Sequence, residues 1–140
     1  MNINKFTQKS IQAVNDLEKI AYEYGNQEIE EEHLLYCLLN QEDSLILKLI
    51  EKMEINKDEF QRSLIDALNK RPKVSGGQVY IGKDLNRVLV SAEDEAKAMG
   101  DEYVSVEHLF LSLLRYPNAG IRDLFKNYGI TRDRFLQALS

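Results

Sequence analysis

Shifted by 75 positions, the chain matches itself without a gap. Gly25 falls on Gly100, Glu32 on Glu107 and His33 on His108. Leu34, Leu38 and Leu39 fall on Leu109, Leu113 and Leu114. Further along, Ile46, Leu49, Ile55, Asp58, Phe60 and Leu64 meet Ile121, Leu124, Ile130, Asp133, Phe135 and Leu139. The pairs Val14/Leu89, Ile29/Val104, Leu35/Phe110 and Ile50/Phe125 are conservative. Such a register reads as one structural unit built twice.

Each copy reads as four helices. Over residues 5–24, Ser10, Val14, Leu17, Ala21 and Tyr24 recur at spacings of three and four, one face of a helix. Leu85, Leu89, Ala92, Ala96 and Met99 repeat that face. Gly25 and Gly100 end these helices, because glycine enters the left-handed cap cheaply. The second helix carries Leu34, Leu35, Leu38 and Leu39, echoed by Leu109, Phe110, Leu113 and Leu114. Ser105 suits its N-cap in the second copy, whereas Glu30 is a poorer cap in the first. A third helix shows Ile46, Leu49, Ile50 and Met53, echoed by Ile121, Leu124, Phe125 and Tyr128. Asn56 and Thr131 then cap a fourth, anchored by Phe60 with Leu64 and by Phe135 with Leu139. Only residues 74–81 lack helical period. With Pro72, Gly76, Gly77 and Gly82 around them, they read as a link. The expected fold is all-α: eight helices in two pseudo-symmetric four-helix repeats, at 1–70 and 84–140. Residues 71–83 join them into one domain.

A chain of 140 residues with 44% apolar residues can bury a core without staples. Its net charge of −5 speaks against a nucleic-acid surface, which needs clustered Lys and Arg. The one cysteine, Cys37, has no internal disulfide partner. No apolar run approaches the roughly 20 residues of a membrane span. The polar first ten residues lack a signal peptide's apolar stretch, so the cytoplasm is the expected setting and no membrane contact is expected.

Motifs with chemical meaning are few. Gly77, Gly82 and Lys83 come near a phosphate-binding loop, but Asp84 stands where a Ser or Thr should bind magnesium. No strand is expected before it. A linker running into a helix is the preferred reading, over a small nucleotide-binding enzyme. The two histidines, His33 and His108, fall short of the four ligands of a structural zinc site. They read as satisfied first-turn residues. Glu32 and Glu107 either complement their helix dipoles or make anionic contacts at repeat-related pockets. Cys37 pairs with Ser112 and reads as a small filler. The acids from Glu28 to Glu32 read as a solvated loop. Lys70, Arg71 and Lys73 make too short a cluster for nucleic acid. No catalytic residue, cofactor site or metal site emerges, and the chain reads as a binding module.

The segments Asn4-Lys5-Phe6-Thr7, the two Glu-His-Leu motifs and Arg71-Pro72-Lys73-Val74-Ser75-Gly76 resemble the N-terminal domain of the Clp family of AAA+ unfoldases. Gly77-Gln78-Val79-Tyr80 and Gly100-Asp101-Glu102-Tyr103-Val104-Ser105 resemble its ClpB branch of bacterial disaggregases. The resemblance covers essentially the whole chain, and the family's double repeat coincides with the duplication. It implies a mobile module that binds unfolded or aggregated polypeptide and helps deliver it to an AAA+ pore. ATP hydrolysis, hexamer formation and work with the DnaK system would belong to segments outside this chain. The isolated domain would be monomeric. The resemblance implies substrate handling by Thr7, Asp101 and Glu107 beside an apolar groove, for which Leu85, Val88 and Leu89 are candidates. The ClpC relatives suggest another role, docking an adaptor protein or phosphoarginine-tagged substrates. Glu30 and Glu31 should repel such a phosphate.

Overall fold

The computed structural model describes residues 2–140. In chain order it contains α1 (Gln8–Asn15), α2 (Leu17–Glu23), β1 (Glu28–Ile29), α3 (Glu31–Leu39), α4 (Leu45–Lys52) and α5 (Lys57–Asn69). Then come β2 (Tyr80–Ile81), α6 (Lys83–Ala98), α7 (Val106–Arg115), α8 (Ala119–Asn127) and α9 (Arg132–Leu139). A 3-10 turn, Ile3–Lys5, precedes them. The segments α1 and α2 are one helix interrupted at Asp16, whose backbone stays helical. Counted so, eight helices stand in two sets of four. Asn56 and Thr131 cap α5 and α9 through their side chains, as their spacing predicts.

The link is not strand-free. β1 and β2 form a short parallel pair, Glu28 opposite Tyr80 and Ile29 opposite Ile81. A second parallel bridge joins Phe6 to Val104. Under the 75-residue shift Phe6 corresponds to Ile81, and Ile29 to Val104. Each copy therefore lends the segment before its first helix to the other copy. Thr7 N–H donates to Val104 O at 2.9 Å, and Gly82 N–H donates to Ile29 O at 2.8 Å. This reciprocal pairing welds the copies and sets the first turns of α1 and α6 against the opposite copy.

One continuous apolar core runs through both copies. Phe110 stacks on Phe135 with centroids 4.4 Å apart. Phe60 meets Tyr128 edge-on at 5.2 Å, across the two copies. At the centre lies α3, which packs against helices of both copies. Every residue of α3 except Tyr36 is buried. A helix that is covered all round carries its polar first turn inside with it. This is why three of the four acids expected in a solvated loop are not solvated: Glu28 is exposed, but Glu30, Glu31 and Glu32 are 5%, 0% and 2% exposed. The sequence pattern marks them as charged but says nothing of what packs over them.

Candidate functional site

The matching first turns of α3 and α7 are built alike. Each is closed by a capping box whose third helical residue is a histidine. His33 Nδ1 accepts the Glu30 N–H at 2.8 Å, and His108 Nδ1 accepts the Ser105 N–H at 2.8 Å. An accepting Nδ1 in a neutral ring puts the proton on Nε2. That Nε2–H then donates to Asn26 Oδ1 at 2.9 Å in the first copy and to Asp101 Oδ2 at 2.8 Å in the second. Both histidines are satisfied and buried. Burial holds the His33 imidazole down at about 4, so it is neutral at pH 7. The difference in capping expected between Glu30 and Ser105 is removed by this shared device.

What distinguishes the two places is what covers them. In the second copy, Asp101 and Val104 line an open cavity of about 460 Å³, with Asn4, Lys5, Glu93 and Lys97. Thr7 is tied to Val104, caps α1 through Ser10 N–H at 3.3 Å and is half-buried. Glu107 is half-buried and has no hydrogen bond or ion pair among the described residues. The structure thus brings Thr7 and Asp101 to one neighbourhood through Val104. Glu107 stands one residue before His108, Asp101's hydrogen-bond partner.

The corresponding cavity of the first copy measures about 230 Å³ and is walled by Asn26, Glu28, Glu30, Tyr80 and three residues of the link, Arg71, Pro72 and Val74. Here the chain lies over its own site. Arg71 Nη2 meets the Glu32 carboxylate at 2.6 and 2.7 Å, and its Nη1 meets Glu30 Oε2 at 3.2 Å. Asn26 Nδ2 donates to Pro72 O, Lys73 Nζ to Tyr24 O and Val74 N–H to Gly25 O. The link thus straps the first copy through Arg71 and Lys73, while Lys70, Pro72 and Lys73 stay exposed at the surface.

Glu32 also accepts from Asn118 Nδ2 at 2.9 Å, and Glu31 Oε1 accepts the Asn118 N–H at 2.9 Å. One oxygen each of Glu30 and Glu31 is buried without a partner. Burial pushes both carboxyls up to about 8.

Leu85, Val88 and Leu89 do not line a groove. They are 0%, 0% and 1% exposed, and belong to the core that α6 shares with α7. The extra apolar positions on α6 reflect a helix covered on more than one side. Gly82 begins α6 after the short strand β2, so a strand does precede the Gly-Lys pair. No space is left there for a phosphate, because a Cβ on Gly82 would collide with the Glu30 carboxylate. The Cys37 thiol is buried and pushed up to about 12 by that burial, far from a reactive thiolate. No group of three or more His, Cys, Asp or Glu residues among the described residues is placed to hold a metal ion. No helix is long and apolar enough to cross a membrane.

Sequence reasoning missed Arg71, Asn26 and Asn118. It also missed Glu95, a buried carboxylate on α6 bound by Arg115 and Arg132. The duplication held a signal for Glu95, since a charge stands there where the first copy has Ile20.

Residues 5–128 match the family described as the Clp repeat (R) N-terminal domain. The chain is 41% identical over 145 residues to chaperone protein ClpB of Nitratidesulfovibrio vulgaris, covering 99% of this chain and 17% of that one. It is 38% identical over 148 residues to chaperone protein ClpB of Clostridium tetani, with the same coverage of 99% and 17%. Among solved structures, the Hsp104 N-terminal domain of Candida albicans superposes with a TM-score of 0.83 at 24% identity, covering 97% of this chain and 90% of that one. The chain spans about a sixth of the length of these curated relatives.

Proposed function

The chain belongs to the Clp repeat N-terminal domain family, and on that premise we propose that it is the substrate-engaging module of a ClpB-like, ATP-dependent disaggregase. In this reading it gathers unfolded or aggregated polypeptide in the cytoplasm and passes it to AAA+ modules elsewhere in a longer, hexameric protein. Those modules, not this domain, use ATP and work with the DnaK system. The observation that supports the reading is the difference in size between the two matched cavities. The Asp101 cavity, about 460 Å³ and lined by charged side chains together with Ala96, Tyr103 and Val104, suits loose binding with little sequence preference. Its counterpart, about 230 Å³, is narrowed by the strap. Thr7, Asp101 and Glu107 are the residues assigned to the contact.

A ClpC-like role in docking phosphoarginine has less support. In the first copy the Glu32 carboxylate already holds a guanidinium, that of Arg71.

The test is an NMR titration of this chain with a permanently unfolded, alkylated polypeptide. Shifts should concentrate at residues 4–7, 101–104 and 107, and weaken in Asp101→Ala and Glu107→Ala. No shifts at saturating polypeptide, or shifts centred on Asn26 and Arg71, would overturn the assignment.

A further inference from the structure

The second copy carries a surface that the proposed substrate contact does not use. Four of the chain's seven arginines, Arg87, Arg115, Arg122 and Arg132, are linked there around Tyr116 and Glu95. The Arg87 guanidinium stacks 3.9 Å from the Tyr116 ring centroid. Arg115 Nε donates to Glu95 Oε2 at 2.5 Å and Arg132 Nη2 to Glu95 Oε1 at 2.7 Å. Arg122 Nη2 donates to Pro117 O at 3.2 Å, beside Tyr116. The first copy has Gln12, Asn40, Leu47 and Lys57 at the four matching positions, so the cluster belongs to one copy only.

The fold plan does not require it. Glu95 is 1% exposed, and the burial that would raise its carboxyl is outweighed by the hydrogen bonds from Arg115 and Arg132, which hold it below the usual carboxylate range. The first copy fills the same place with Ile20. What Glu95 does is hold two guanidiniums in fixed orientation. Arg115 keeps 48% of its side chain exposed, and neither of its Nη atoms has an acceptor among the described residues. Arg87 is exposed and makes no hydrogen bond among the described residues. Arginines held by a carboxylate on one edge and an aromatic face present ready donor pairs to oxyanions. Asp94, Asp123 and Asp133 stand among them in the sequence, which makes separate guanidinium sites rather than a continuous basic strip. A nucleic-acid backbone needs the strip; isolated carboxylates need only the sites.

We propose that this face docks an acidic, extended segment of a partner polypeptide, whose carboxylates are taken by Arg87 and Arg115. From position 87 to position 95, α6 rises about 12 Å, the span of about four extended residues. Acids at alternate positions would then face the arginines together. The experiment is fluorescence anisotropy of this 140-residue chain with a labelled octapeptide of alternating Ser and Glu at low salt. The same peptide with Lys for Glu, and an eight-nucleotide oligothymidylate, serve as comparisons. The Glu peptide should bind, and the Lys peptide should not. Binding should weaken with added salt and fall at least tenfold in R87Q/R115N, which restores the first copy's residues. Should that double variant fail to fold by circular dichroism, the exposed single change R87Q decides, with at least a threefold loss expected. Absence of Glu-peptide binding, equal binding by a folded variant, or tighter binding of the oligothymidylate would each overturn the proposal.

Discussion

The two copies share a backbone plan, yet they spend their buried charge in opposite ways. The first turns it inward: Glu30, Glu31 and Glu32 are sealed beneath Arg71 and Asn118, and the link lies across the cavity. The second has Ser105, Val106 and Glu107 in those places, half-buried apart from the buried Val106, and buries its carboxylate at Glu95 between Arg115 and Arg132. Both retain the histidine cap, because the helix start needs it whatever lies outside. The backbone plan is thus common property, while the placing of buried charge differs between the copies.

The largest effect should come from removing the strap's anchor. Arg71→Ala leaves the Glu32 carboxylate buried without its cation, and breaking a buried pair from one side costs about 3 kcal/mol or more. Glu107→Ala removes the matched acid of the second copy, which has no partner, and should change stability by less than about 0.5 kcal/mol. Urea unfolding of both variants checks this. Equal losses would mean that the copies are not divided in this way.

A smaller effect should follow from the unpartnered acid at the joint. Burial raises Glu31 to about 8 in the folded chain, above its ordinary value of 4.5. The folded state therefore holds a proton that the unfolded state gives up between about pH 4.5 and 8, and this group's contribution to stability falls as pH rises through that window. Glu30 acts in the same direction. His33 acts oppositely: held down at about 4, it contributes stability that is lost as pH falls from about 6.5 to 4. Glu31→Gln keeps an oxygen for the Asn118 N–H and has no proton to lose. It should stabilise the chain by about 1–2 kcal/mol at pH 8, with the gain vanishing near pH 4.5. Thermal unfolding at both pH values measures it. A gain of the same size at both would remove ionisation as the cause.

How much of this could be read beforehand follows from the kind of information each feature needs. Helices, their apolar faces and the caps at Asn56 and Thr131 depend on residues near in sequence, and the duplication doubled every such signal. The reciprocal pairing of Phe6 with Val104 and of Ile81 with Ile29 depends on how the copies dock, and two-residue strands have no period to detect. The Glu28–Glu32 run misled for the same reason. A run of acids is usually solvated, and only the central position of α3 puts the last three of these inside. Leu85, Val88 and Leu89 misled in reverse, since a second apolar face on α6 reads equally as groove or as core. The assignment of Thr7, Asp101 and Glu107 to the contact rests on resemblance. Their environment became visible only when the strap over the first copy gave an internal contrast.

The smallest effect concerns a turn where the copies differ by one side chain. α4 and α8 both end in the left-handed region, at Glu54 with φ 63° and at Gly129 with φ 64°. The turns close alike: Glu54 N–H donates to Glu51 O and Ile55 N–H to Ile50 O, as Gly129 N–H does to Lys126 O and Ile130 N–H to Phe125 O. Only Gly129 adopts this conformation without steric cost. Glu54→Gly should therefore stabilise the chain, by about 0.5–1 kcal/mol after the added freedom of the unfolded glycine is counted. Gly129→Ala should destabilise it by about 1 kcal/mol, because the added methyl also presses on Arg134 Nη1, 3.0 Å from the Cβ position. That guanidinium bonds Gly129 O and, across the copies, Met53 O. Opposite signs in chemical denaturation would show that the turn is one motif used twice, filled well once. The same sign in both variants would mean that the Arg134 bridge, not the backbone, sets the choice of residue there.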